Sequence, residues 1–209
     1  MEVYKKNDRI IVIDYDSYPE SPREWDNAFT FLGWHRRYSS PDENNIGDLE
    51  DVCKLAGVSS PYRFADSRTH VVFTVSMLDH SSLHFSLSKE FRNSIGDPWD
   101  SGIFGVMIAE RKFLREWYRM KRLNMKKVFH YAQCELETYE QYCNGDVYCY
   151  TEYSWDNRLK CLNAEDSCCG FFGIDSLLDD RGLTSDDYLG DYSSDESIER
   201  AIKSGNIQL

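Results

Sequence analysis

Arg23, Trp25, Asp26, His35, Arg36, Asp79, His80, Trp99 and Asp100 have types and spacing that suit work on a bound ligand. Guanidinium groups pair with phosphate in a fixed fork, indoles stack on a base, and a histidine beside a carboxylate serves as a general base. Together they predict a nucleotide-binding site or a small hydrolase. They fall in four short groups: Pro22-Arg23-Glu24-Trp25-Asp26-Asn27, His35-Arg36-Arg37, Leu78-Asp79-His80, and Pro98-Trp99-Asp100-Ser101-Gly102. Each group abuts an apolar run, so the sequence places all four on loops at strand ends, where sites gather. A plainer role competes. A tryptophan paired with an aspartate through its indole N–H is a common structural corner.

The apolar runs predict the elements that hold these loops. Arg9 to Asp14 reads as a mostly buried strand, Thr30 to Trp34 as a second, and His70 to Leu78 with Leu83 to Leu87 as a hairpin. Ile103 to Ala109 reads as a strand in which Gly105 marks the close approach of another backbone or a ligand. Leu49, Val52, Cys53 and Ala56 recur at helical spacing before Gly57, the expected stop. A pattern of period 3.6 begins at Glu110, and a second helix runs from about Met125 to Tyr142. Asp146 to Trp155 alternates as an antiparallel strand. Pro19 and Pro22 exclude regular structure between them, while Ser21 and Glu24 suit the start of one helical turn. The expected fold is α+β: one domain, 1–173, with a mainly antiparallel sheet and two consecutive helices packed on it. Residues 174–209 form an acidic, partly ordered extension anchored by Leu177, Leu178, Leu183, Tyr188, Leu189 and Ile198.

Composition narrows the function classes. The 209 residues carry 24 Lys and Arg against 36 Asp and Glu, a formal charge of −12. That disfavours general nucleic-acid binding, which rests on neutralising phosphates. An acidic surface first of all keeps a protein soluble; the sharper reading makes Asp179, Asp180, Asp186, Asp187, Asp191, Asp195 and Glu196 the candidate contacts for a partner protein with a basic nucleic-acid-binding surface. The basic island of Arg111 to Lys127 reads first as a solvated helix face. No run is apolar and long enough for a membrane span, so no membrane partner is expected. The seven cysteines are odd in number, irregularly spaced and include no CxxC pair, which predicts reduced thiols. Scattered Cys and His can still converge on zinc through the fold, but the spacing assigns no metal and no cofactor. Asp14-Tyr15-Asp16 after the first strand resembles the acidic tip of phosphotransfer and nuclease sites, without the further motifs such sites need.

The order of motifs resembles a family of bacteriophage and mobile-element proteins. The resemblance is carried by Glu20 to Asn27, His35 to Tyr38, Leu78 to Ser81, Pro98 to Gly102, Glu137 to Tyr142, Gly145 to Tyr148, Asp166-Ser167-Cys168 and Gly170 to Gly173. The family pattern has a Leu-Gly-Thr-Met-Val type strand where this chain has Ala28 to Gly33, and the tail beyond Gly173 lies outside the resemblance. It implies a phage setting and a cytoplasmic location in an infected host. It implies no established reaction. By association it suggests a binding protein that disables host defence, of the anti-CRISPR or anti-restriction type, through nucleic-acid mimicry.

Overall fold

A computed structural model of the chain describes residues 1–43 and 46–208. In chain order its elements are β1 (Glu2–Lys6), β2 (Arg9–Tyr15), β3 (Thr30–Gly33), α1 (Leu49–Ala56), β4 (His70–His80), β5 (Ser82–Ser88) and β6 (Ser101–Glu110). There follow α2 (Arg111–Trp117), α3 (Met125–Asn144), β7 (Val147–Asp156), β8 (Cys161–Phe172), α4 (Ile174–Arg181), β9 (Tyr188–Asp191) and α5 (Asp195–Lys203). The fold is α+β with antiparallel pairing, and the strands sort into two sheets. The chain divides into two compact units, 1–20 with 141–209, and 21–140.

The first unit is a five-stranded sheet in the order β8-β7-β2-β1-β9. Its central strand explains the unbroken apolar run at Ile10 to Ile13. Ile10 and Val12 pack with Val3, Ile198, Ala201 and Ile207 on the α5 face. Ile11 and Ile13 pack with Tyr4, Tyr150, Leu177 and Leu183 on the α4 face. A strand covered on both sides has no polar face to show. The boundary expected at residue 173 therefore falls inside this unit. Residues beyond it complete the sheet through β9, which pairs with β1, and supply α4 and α5. Leu177 and Leu183 belong to the core itself, and Leu178 and Leu189 pack against it. Gly182 closes α4 at φ +60, a left-handed cap that glycine adopts without steric cost, and Lys6 caps the end by donating to the carbonyls of Arg181 and Gly182.

The second unit is a four-stranded sheet in the order β3-β6-β4-β5. One face packs Leu32, Val72, Val106 and Ile108 against Val52, Cys53 and Ala56 of α1 and Phe64. The other carries Phe31, Phe73, Phe85 and Phe104 against Phe129 and Tyr139 of α3, with ring centroids 5.2 to 6.0 Å apart. Gly105 lies opposite Gly33. A Cβ on Gly105 would stand 1.8 Å from the Leu32 carbonyl oxygen, so the close approach is to the β3 backbone rather than to a ligand.

Candidate functional site

The passage from Pro19 to Tyr38 splits into two roles. Ser21 caps the short turn Pro22–Glu24, accepting from the Arg23 amide at 3.2 Å. The Arg23 side chain then turns inward and is only 5% exposed. Its Nε and Nη2 each donate to Asp42 at 2.7 Å, Nη2 also donates to the Phe29 carbonyl at 2.7 Å, and Nη1 stands 3.6 Å from Glu135. Asp42 accepts the Phe31 amide at 2.7 Å, and Glu135 accepts those of Ala28 and Phe29. Burial raises the Glu135 pKa above its ordinary value, and these donors and Arg23 only partly oppose it. Arg23 thus leaves the expected ligand site: a buried guanidinium must find carboxylates, and it ties the entry of β3 to α3. Trp25 and Asp26 are exposed but line no part of the cleft described next.

The other groups do converge. His35, Arg36, Asp79, Trp99 and Asp100 line one cleft of about 230 Å³ together with Arg37, Met77, Ser101, Gly102 and Phe104. The end of β3 delivers the first group, because the Trp34 amide donates to the Phe104 carbonyl at 3.0 Å. The His35 ring lies over Phe104, centroids 6.2 Å apart, and beside Tyr38 at 5.2 Å. The end of β4 delivers Asp79, whose amide donates to the Asp100 carbonyl at 3.0 Å. Asp97 shapes the facing turn by accepting the amides of Trp99 and Asp100 at 2.7 and 3.0 Å. Those two bonds hold the Asp97 pKa below the usual carboxylate value.

Charge within the cleft is mostly answered. Arg37 Nη2 donates to Asp79 Oδ2 at 2.5 Å, and the Tyr38 hydroxyl donates to the same oxygen at 2.9 Å. His80 is not part of the lining, but its Nδ1 stands 3.2 Å from Asp100 Oδ2 at the rim. Arg36 is exposed and has no ion-pair partner among the described residues. Burial, then Arg37 and Arg36, lower the His35 pKa, so the ring is neutral at pH 7. Its Nδ1 accepts the Arg37 amide at 3.3 Å, which puts the proton on Nε2 and makes that edge a donor. The Trp99 indole is 90% exposed. The cleft therefore offers one spare guanidinium, one imidazole N–H and one open aromatic face.

No family profile, curated protein or solved structure matches this chain.

The residues that sequence reasoning missed are instructive. Arg37 and Tyr38 were visible in the same cluster as His35, yet only the fold reveals that they answer Asp79. Phe104, Met77 and Gly102 carry no chemical signal and enter as the cleft's walls. Five of the seven acidic candidates, Asp179, Asp180, Asp186, Asp191 and Glu196, are exposed, and most of the seven also have a partner within the first unit. Asp180 pairs with Arg181 at 3.0 Å, Asp187 closes a capping box with Thr184, Asp195 accepts from the Tyr153 hydroxyl at 2.9 Å, and Asp191 hydrogen-bonds Tyr188. Glu196 stands in the first turn of α5, its pKa lowered first by the Ser194 hydroxyl. Asp179 and Asp186 alone of the seven carry no side-chain partner among the described residues. The expectation of reduced thiols does not hold for two cysteines. Cys149 and Cys169 form a disulfide, because the register of β7 against β8 brings residues 20 apart in sequence to a Cα separation of 4.0 Å. Spacing alone cannot report a cross-strand neighbour.

Proposed function

We propose that this chain is a ligand-binding protein whose cleft in the second unit takes the phosphate end of a nucleotide. One observation carries the reading: three loops remote in sequence meet so that Arg36, with no ion-pair partner among the described residues, lines one cleft with His35 and the exposed Trp99. A guanidinium with an adjacent N–H donor suits a phosphate, and a free indole suits a base. The volume of about 230 Å³ is below that of pockets that enclose a drug-sized molecule, so the base would stack at the rim. Binding is favoured over hydrolysis. His80 and Asp100 have the spacing of a base and its orienting carboxylate, but no hydroxyl or thiol hydrogen-bonds His80 among the described residues. The nearby Ser101 hydroxyl is committed to the Asp97 carbonyl. Calorimetric titration with inorganic phosphate and a panel of nucleoside mono-, di- and triphosphates tests this. Binding of at least one nucleotide, lost in Arg36→Ala and weakened in Trp99→Ala, is the expected result. Absence of binding by every member at millimolar concentration sinks it.

A second reading has its own support. The first unit holds 8 Lys and Arg against 19 Asp and Glu, so nearly the whole formal charge of −12 resides there. Such a surface suits a basic nucleic-acid cleft on another protein, steering association in a salt-dependent way. Together with the resemblance to phage proteins, it favours an inhibitor of a host restriction enzyme or CRISPR effector. Plasmid-cleavage assays with purified enzymes of both classes, at low and high salt, decide it. Unchanged cleavage throughout at a large molar excess of this chain removes the reading.

A further inference from the structure

Three side chains of metal-ligand type meet in the first unit. Asp16 follows β2, Cys149 lies in β7 and Cys169 in β8, and their ligand atoms all stand within 4.8 Å of one another. Strand register explains the meeting. Asp14 of β2 lies opposite Cys149, and a register shift between Tyr148 and Tyr150 brings Cys149 beside Cys169. The Asp16 amide donates to the Val147 carbonyl at 2.7 Å, which fixes the aspartate at the start of β7. Its Oδ1 accepts the Tyr18 amide at 2.9 Å, leaving Oδ2 without a hydrogen bond among the described residues. Cys149 also lines a hollow with Asp14, Asp195, Glu196 and the N-terminal Met1.

We propose that reduction of the Cys149–Cys169 disulfide opens a site for one thiophilic divalent cation, zinc foremost, held by both thiolates and the Asp16 carboxylate. Zinc–sulfur bonds of about 2.3 Å and zinc–oxygen bonds of about 2.0–2.2 Å put ligand atoms of a tetrahedron roughly 3.4–3.8 Å apart. The three atoms lie within 4.8 Å of one another around the disulfide, so once it is reduced only small side-chain movements separate them from that spacing. Two thiolates select soft or borderline metals over magnesium and calcium, and a water completes the fourth position. Opening requires a thiol reductant. Its thiolate attacks the sulfur of exposed Cys169, a mixed disulfide forms, and Cys149 leaves as a thiolate. A second reductant thiol attacks the reductant's sulfur in that mixed disulfide, releasing Cys169 and leaving the reductant oxidised to its own disulfide. Two electrons pass to the protein, and the incoming metal displaces the proton from each thiol. The chain would then hold either the disulfide or the cation, never both.

The test uses the full chain, reduced with dithiothreitol and freed of it without oxygen, and titrated with zinc against a chromophoric chelator. The reduced chain should take up one zinc per molecule, and the oxidised chain should bind at least about 100-fold more weakly. Cobalt substituted for zinc should show thiolate-to-metal charge-transfer absorption. Cys149→Ser and Cys169→Ser should each remove that band, while Asp16→Asn should weaken zinc by about 10- to 100-fold with far-ultraviolet circular dichroism unchanged. Cys168→Ser is the informative neighbour. Cys168 pairs with Tyr150, whose ring belongs to the α4 face, so its loss should change nothing. No zinc uptake by the reduced chain overturns the proposal, as does uptake that survives the Cys149→Ser, Cys169→Ser double variant or that depends on Cys168. Wild-type affinity in Asp16→Asn overturns the three-ligand assignment.

Discussion

The two units use the same device, an antiparallel sheet with helices against it, and spend their charge in opposite ways. The first holds 19 acidic residues against 8 basic; the second holds 17 against 16. The second also gathers its cations. Lys112, Arg115, Arg119, Lys121, Arg122, Lys126 and Lys127 are all exposed and have no ion-pair partner among the described residues. Eleven of the twelve net negative charges thus belong to one unit, and an argument from the whole-chain figure misjudges the other. Cross-links differ too. The first unit is tied by a disulfide between exposed edge strand β8 and β7, the second by a nearly buried charge network around Arg23.

That contrast can be broken by experiment. The largest expected effect is Arg23→Ala, which leaves the carboxylates of Asp42 and Glu135 without their counter-ion. We expect a loss of about 3–5 kcal/mol in chemical denaturation. Arg23→Lys should recover only part of it, since a lysine cannot make the paired bonds to Asp42. Next is Cys149→Ser in the first unit, which should lower stability by about 2–4 kcal/mol under oxidising conditions and by far less with reductant present. Equal losses in both conditions would mean that the cross-link is not what the variant removes.

The units should also part company on acidification. His35 and His70 in the second unit have pKa values lowered from the ordinary 6.5, mainly by burial. The unfolded chain therefore binds protons there first, and the second unit loses stability as pH falls below about 6.5. Glu165, Asp187, Glu196 and Glu199 in the first unit have lowered pKa values, so their stabilisation is present above the ordinary carboxylate range and lost only as pH falls through it. Glu135 acts with the opposite sign, its raised value favouring the folded second unit on the acid side. Amide hydrogen exchange from pH 7 to 5 should show β4 and β6 loosening before β2 and β7, and His70→Gln should narrow the gap. The smallest effect belongs to Ser194→Ala, which removes the α5 cap on the Ser197 amide and should cost about 1 kcal/mol in the first unit alone.

Much of the scaffold was legible because burial writes a period into the sequence. The unbroken run Ile10 to Ile13, the alternation from Val147 to Tyr153 and the helical stripe of α3 each announced their element. Strands β1 and β8 did not. β8 is an edge strand, mostly exposed along Asn163 to Gly170, so no apolar period marks it and only pairing with β7 makes it a strand. The site was legible in residue type but not in assignment. Arg23 and Arg36 carry the same group within one passage, and nothing local shows that one turns into the interior while the other is exposed.

What the sequence determined by itself was the elements with a buried periodic face, the α+β class and the clustering of chemically capable side chains at strand ends. These follow from neighbours along the chain, through periodicity, capping and turn preference. Only the tertiary structure decided which carboxylate answers which guanidinium, that two cysteines 20 residues apart are bonded, and that the acidic tail supplies five of the twelve core residues of the first unit's two clusters. Each of those depends on register and packing between remote segments, and a one-residue slip in pairing would turn every side chain to the other face.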